Sequence, residues 1–357
     1  MKNKDYFHIP ENAPVCSGTG LVALDVVVNG DNKLPKMWAG GSCGNVLAIL
    51  AYLGWHSYPI ARLGKNVSTD YIKNDLKNFS VDLTYVEASD NGSTPIIVEK
   101  IRKTTAGLPA HSFLWTCPEC GSWLPRYKSI LVKTAKNIIE KFSNPQVFYF
   151  DRVNPGAIIL AHAYQKRGAL IVFEPSGVKD ERLFRDALAV SHIVKYSSER
   201  LGHLQNVSEI IGPLLQIETL GGEGLRYKLK SGSEYSKWLY LPAFQIEDLK
   251  DAAGSGDWCS AGIIHYLGQN GATNIEKISK KNIKEAIIFG QALAALNCKF
   301  EGARGGMYTL KKSDFINAVM EIICGKNTEN NFKELITEKD RHFIRCICPG
   351  CQRTNNN

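Results

Sequence analysis

Asp251-Ala-Ala-Gly-Ser-Gly-Asp257-Trp258 is the stretch on which the reading of this chain turns. An apolar run, Cys259-Ser-Ala-Gly-Ile-Ile-His-Tyr-Leu267, follows directly, so the spacing predicts a helix over 257–267 entered through a glycine turn. Gly254 and Gly256 permit a sharp bend that points several backbone N–H groups at one place. That place is also a helix N-terminus, where unpaired donors and the helix dipole favour an anion such as a transferring phosphoryl group. The backbone of Gly254, Ser255 and Gly256 is the candidate anion hole. Asp257 would stand beside the anion, where negative charge raises its proton affinity and suits it to act as base toward a hydroxyl. The plainer reading of the same residues is an acidic helix start after a glycine turn.

Two further glycine turns precede this one. Gly40-Gly41-Ser-Cys-Gly44-Asn45 opens the apolar run that ends at Leu53, and an amide at a helix start suits hydroxyl recognition as well as plain helix entry. Thr219-Leu-Gly221-Gly222-Glu-Gly224 ends a predicted strand, Leu215 to Thr219, at the kind of edge where α/β sheets bind nucleotides; a tight hairpin turn is the alternative. Around these turns the pattern alternates. Strands are predicted at 18–29, 57–62, 94–103, 147–150, 169–173 and 192–196, with helices at 45–53, 69–79, 129–142, 156–167 and 281–296. A hairpin pairs 225–230 with 238–242 around Ser231-Gly232-Ser233. Strands separated by helices of this length indicate an α/β fold with a mainly parallel central sheet covered on both faces, within one domain spanning 1–357. The last residues, 353–357, are expected to be disordered.

With 44% apolar, 10% aromatic and 22% charged residues among 357, the composition excludes a disordered or collagen-like chain and allows a sizeable core. The formal charge of +8 is spread along the sequence, which favours anionic ligands in general without indicating nucleic acid. The start, Met-Lys-Asn-Lys-Asp-Tyr, carries no secretory pattern, and no window reaches the ~18–20 apolar residues of a membrane span. The expectation is a cytoplasmic protein, not a membrane one, with reduced thiols.

Ten cysteines then need a reason. Cys16, Cys43, Cys259, Cys298 and Cys324 lie among apolar residues and read as small core side chains. Cys117-Pro-Glu-Cys120 and Cys348-Pro-Gly-Cys351 are C-x-x-C knuckles, with Cys346 just ahead of the second. Two such turns complete a four-thiolate zinc shell, a structural site with no open position. Because 227 residues intervene between the knuckles, a shared ion would pin the C-terminal tail to the segment near 117. Separate turns are the alternative, and redox chemistry is disfavoured because neither pair opens a helix.

The order of the three glycine turns resembles that in the ribokinase-like (PfkB-type) carbohydrate kinases, over roughly residues 16 to 310 apart from the knuckle insertion. The family's D-x-x-G-x-G-D signature is matched by Asp251 to Asp257, and its glycine pair with a following Asn by Gly40, Gly41 and Asn45. Phe289 to Asn297, followed by Gly302-Ala303, looks like its late helix and loop beside the adenine. The resemblance implies a small β lid, from strands about 26–38 and 92–115, over a sugar or nucleoside acceptor. It implies ATP as phosphoryl donor with Mg2+, and a monovalent cation such as K+ as a further option. By resemblance, Asp257 is the base, Asp25, Gly41, Asn45 and Asp151 hold acceptor hydroxyls, and Thr219, Gly221, Gly224 and Asn297 line the nucleotide.

Two departures accompany it. The magnesium-associated N-x-x-E is replaced by Lys195-Tyr-Ser-Ser-Glu199, which leaves Glu199 as candidate for the water shell, and the usual Gly-x-Asp reads Gly64-Lys65-Asn66. Lys100, Arg102 and Lys103 either reach an anionic acceptor from the lid or form a solvated strand face. A homodimer paired through the lid is a further expectation. The rival class is an inactive kinase-like protein that uses the zinc site to bind nucleic acid or a protein partner; the knuckle surroundings, aromatic but not densely basic, argue against it.

Overall fold

The computed structural model describes residues 5–30, 35–103, 109–142, 144–202, 212–273, 275–326 and 343–354. Its strands are β1 (Val15–Thr19), β2 (Ala23–Asn29), β3 (Lys36–Gly40), β4 (His56–Gly64), β5 (Val86–Ser89), β6 (Ile96–Lys103), β7 (Pro109–Leu114), β8 (Val147–Phe150), β9 (Leu170–Phe173), β10 (Ile193–Ser197), β11 (Leu215–Thr219), β12 (Gly224–Ser231), β13 (Glu234–Tyr235) and β14 (Leu239–Pro242). Its α-helices are α1 (Ser42–Tyr52), α2 (Val67–Asn78), α3 (Val132–Lys141), α4 (Pro155–Lys166), α5 (Glu181–Val190), α6 (Ser198–Leu201), α7 (Ser255–Leu267), α8 (Lys280–Asn297), α9 (Gly305–Thr309), α10 (Lys312–Ile323), α11 (Phe343–Ile347) and α12 (Pro349–Thr354).

The main sheet runs β13-β12-β11-β10-β9-β8-β1-β4-β5, with β14 also on β12. From β11 through to β5 every pairing is parallel, and the antiparallel pairs gather at the β12 edge. Parallel strands need both faces covered, and the sequence alternates accordingly. Val147 and Tyr149 of β8 join the core under α1, α7, α8 and α10, while Phe148 and Phe150 join the core under α3, α4 and α5. On that second face the rings of Phe150 and Phe173 stack at 4.6 Å between centroids. No described helix is long and apolar enough to cross a membrane.

The lid is a separate four-stranded sheet, β3-β2-β6-β7. The single strand expected over 18–29 is therefore two strands in two sheets. Gly20 (φ +151°) makes the break: a Cβ there would collide with the Asp151 carboxylate, which accepts a hydrogen bond from Leu21 N at 2.9 Å. Asn66 caps α2 by accepting from Thr69 N at 3.1 Å, a local reason for its place after Gly64. Cys324 is exposed rather than in the core, because it lies one residue past the end of α10. Helix α12 takes in 353 and 354, which were expected to be disordered; 355–357 lie outside the described residues.

Candidate active site

The loops that follow the parallel strands bring together most of the residues singled out in the sequence. Gly254 is the N-cap of α7 with φ +72°, and a Cβ on it would stand 2.2 Å from the carbonyl oxygen of Ala303. Only glycine fits a left-handed position pressed against another backbone. The Ser255 N–H leans on Ala252 O at 3.2 Å and that of Trp258 bonds Gly254 O at 2.9 Å. The N–H groups of Gly254, Gly256 and Asp257 have no protein acceptor among the described residues, as the first turn of a helix dictates. The anion-binding turn is thus open at 254, 256 and 257, with Ser255 partly engaged.

Asp257 accepts a hydrogen bond from Asn45 Nδ2 at 2.7 Å, so the two helix entries predicted separately meet at one carboxylate. Burial, then the charge of Glu174, pushes the Asp257 carboxyl up to about 8, against the Asn45 hydrogen bond and the Lys195 ammonium, which hold it down. A carboxyl with a proton affinity near neutral is suited to receive one from a substrate. Asp25 lies on β2 opposite Trp38, and burial pushes it up to about 7 although Arg304 and the Gly41 N–H favour its charged form. Its Oδ1 is buried without a partner, and so is Asn45 Oδ1. Gly41 (φ +77°) packs against Leu21, whose carbonyl oxygen would lie 2.5 Å from a Cβ.

Three expectations change. Asp151 is 1% exposed, with Oδ1 on Leu21 N and Oδ2 on Arg152 at 2.6 Å. It braces the Gly20–Leu21 bend and offers no oxygen to an acceptor. Asn297 is wholly buried: its amide donates toward Ala253, Gly302 and Ala303 carbonyls at 3.1–3.4 Å and accepts from Gly306 N at 3.2 Å. It ties the glycine turn to the 302–306 loop instead of touching a nucleotide. Glu199 is exposed on the one-turn helix α6, which leaves the sheet after Ser197.

What the sequence reading missed stands at the other end of the same stretch. Lys195 is 3% exposed and pairs with Glu174 directly beneath the turn; a Cβ on Gly256 would be 3.6 Å from Lys195 Nζ and 3.7 Å from Glu174 Oε1. Burial alone would lower the Lys195 ammonium, but the Glu174 charge outweighs it and holds it above its ordinary value. Glu174 also accepts from the hydroxyls of Tyr149 and Ser260. A lysine inside the apolar strand Ile193-Val-Lys-Tyr was the available signal. Thr219 sits opposite Leu225, Gly221 (φ +60°) and Gly224 (φ +117°) shape the turn, and Thr219 pairs with Ser197 of β10. Arg102 is exposed and Lys100 half-buried, both on the opposite lid face from Asp25 and Glu99, as their alternation on β6 requires.

Away from this edge the four knuckle cysteines converge. All four Sγ atoms lie within 4.8 Å of one another, with Cys117–Cys351 at 3.7 Å and Cys120–Cys348 at 3.6 Å. Cys346 is exposed and outside this set.

No protein-family model and no curated protein matches the chain. Solved structures do. An aminoimidazole riboside kinase from Salmonella enterica, solved with aminoimidazole riboside and an ATP analogue, superposes with TM-score 0.63 at 17% identity, covering 85% of this chain and 99% of that one. A fructokinase from Xylella fastidiosa with bound ATP gives 0.64 at 16% identity, covering 87% and 98%. Arabidopsis thaliana ribokinase, solved with ribose and ATP, gives 0.58 at 16% identity, covering 87% and 99%. The fold is that of the ribokinase-like α/β structures, and at these identities the likeness extends to the fold alone.

Proposed function

We propose that this protein is an ATP-dependent kinase that transfers the γ-phosphoryl group to a hydroxyl of a sugar or of a sugar-bearing small molecule such as a nucleoside. The observation that carries the reading is the Asp257 carboxylate, hydrogen-bonded by Asn45, beside a helix entry whose N–H groups have no protein partner. Asp257 takes the proton of the acceptor hydroxyl. That oxygen bonds to the γ-phosphorus as the bond to the bridging oxygen breaks, releasing ADP. The 254–257 amides receive the charge on the transferring group, and preorganised donors of this kind supply much of the rate in such reactions. Asp25, Gly41 and Asn45 orient the acceptor, and Thr219, Gly221 and Gly224 flank the nucleotide. Magnesium bound with the nucleotide would neutralise phosphate charge, and Glu174, whose charge reaches Asp257, fits that place better than the exposed Glu199. Asp257→Asn should lower turnover by about 10²–10⁴-fold with ATP binding nearly intact. ADP release measured across a panel of sugars and nucleosides is the test, and near-normal turnover in that variant would refute the assignment.

The cysteine cluster supports a structural zinc ion. With Zn–S bonds of about 2.3 Å, a tetrahedral shell has S–S edges of about 3.8 Å, close to the two separations found here. Four thiolates leave no coordination position for substrate, so the ion would join the C-terminal tail to the segment after β7. One zinc per chain by elemental analysis, and a lower Tm after chelation, are the expected outcomes.

A further inference from the structure

Glu99 lies in the middle of β6 and is 2% exposed. Period-two alternation puts it on the lid face that also carries Asp25. It is in hydrogen-bonding contact with Asp251, the first residue of the anion-binding turn. His111 of β7 approaches the same carboxylate, with Nδ1 3.3 Å from Asp251 Oδ1. One ligand-type atom from each of the three side chains falls within 4.8 Å of the others. Asp251 itself is engaged with backbone: Oδ1 accepts from Ala253 N at 2.9 Å and Oδ2 from Gly302 N at 2.8 Å. Its two oxygens therefore shape both the glycine turn and the loop packed against Gly254.

Two carboxyl groups in contact repel unless a proton lies between them. The proton's place follows from the surroundings. Backbone N–H groups and His111 favour the ionised form of Asp251, which sits below its ordinary value despite burial. Glu99 has no such donors, and burial together with the Asp251 charge pushes it up to about 10. A neutral carboxylic acid in an apolar setting is a hydrogen-bond donor, and Glu99 donates to Asp251.

We propose that Glu99 and His111 are positioning residues that seat the anion-binding turn from the lid, so that the turn takes its working form when β6 and β7 lie over it. The inference rests on the kinase reading and adds to it a physical link between the sheet that covers the acceptor and the amides that receive the phosphoryl group. Neither residue touches the reacting atoms. Both act through Asp251.

Glu99→Leu removes the donor while keeping the side chain apolar and buried. A misplacement on the scale of an ångström in such a site costs about 100-fold in rate, so kcat should fall by about that factor with a much smaller change in the KM for ATP. Glu99→Gln keeps a donor at the same position and should recover most of the lost kcat, which a purely structural packing role would not require. Amide hydrogen exchange at 252–257 supplies a readout independent of turnover: it should accelerate in Glu99→Leu and return toward wild type in Glu99→Gln. Unchanged kcat and unchanged exchange in Glu99→Leu would overturn the link while leaving the kinase reading to the Asp257→Asn result. Absence of ATP consumption by the wild-type protein with every acceptor would sink the kinase reading, and the exchange measurement would still decide the link. A second metal equivalent in the wild-type protein, lost in Glu99→Leu, would also overturn it, because a cation rather than a proton would then join the three side chains.

Discussion

Two helix entries in this molecule are built from the same parts and end up doing different things. Helix α1 begins at Gly41 (φ +77°) and α7 at Gly254 (φ +72°); neither has a side-chain cap, and each glycine is pressed against a carbonyl oxygen from elsewhere in the chain. At α1 the entry is closed: the Gly41 N–H goes to Asp25, and the Gly44 N–H goes to Leu21 O at 3.2 Å. At α7 three N–H groups are left without protein partners. A helix dipole alone therefore does not make an anion site; what matters is whether the tertiary neighbours consume the donors. The first entry instead delivers Asn45 to Asp257.

Replacement of each glycine by alanine tests that contrast most severely. Both positions cost at least about 1–2 kcal/mol for a left-handed alanine, before the backbone clash is counted. Gly254→Ala should lower kcat more than it lowers stability, because the displaced backbone carries the open amides; a wild-type kcat in a folded Gly254→Ala protein would break the comparison. Gly41→Ala should leave nucleotide binding intact and raise the KM for the acceptor. Equal effects of the two variants on ATP affinity, measured by titration calorimetry, would show that the entries do not divide the work.

A smaller effect sharpens the picture from the carboxylate's side. Asp257 must be ionised to act as base, so in the free protein kcat/KM should rise with pH through about 8. The Asn45 amide stabilises the ionised form, so Asn45→Ala should move that acid limb to higher pH as well as lowering the plateau. A limb that stays in place, or moves down, in a pH–rate profile would mean that Asn45 does not govern the base.

Much of this was legible in order along the chain. The glycine turns, the strands at 147–150 and 215–219 and the cysteine knuckles each carry a local signal: a residue without Cβ, an apolar run of strand length, a C-x-x-C spacing. The errors share a cause. Asp151, Asn297 and Glu199 are residue types that bind ligands and also brace loops, and their partners (Leu21, Ala253, Gly302) are distant in sequence. Lys195 and Glu174 were passed over because each is isolated in its own strand context and gains meaning only where β9 and β10 lie side by side.

Sequence by itself determined the parallel sheet, the places where the backbone must bend, and which side chains can exchange a proton, because these depend on periodicity and on residues within a turn of one another. Tertiary structure alone decided which N–H groups stay unpaired, which carboxylate sits near neutrality, and that Glu99 of the lid meets Asp251. Hydrogen-bond partnership and desolvation are set by neighbours brought in from across the fold, and no local pattern encodes them.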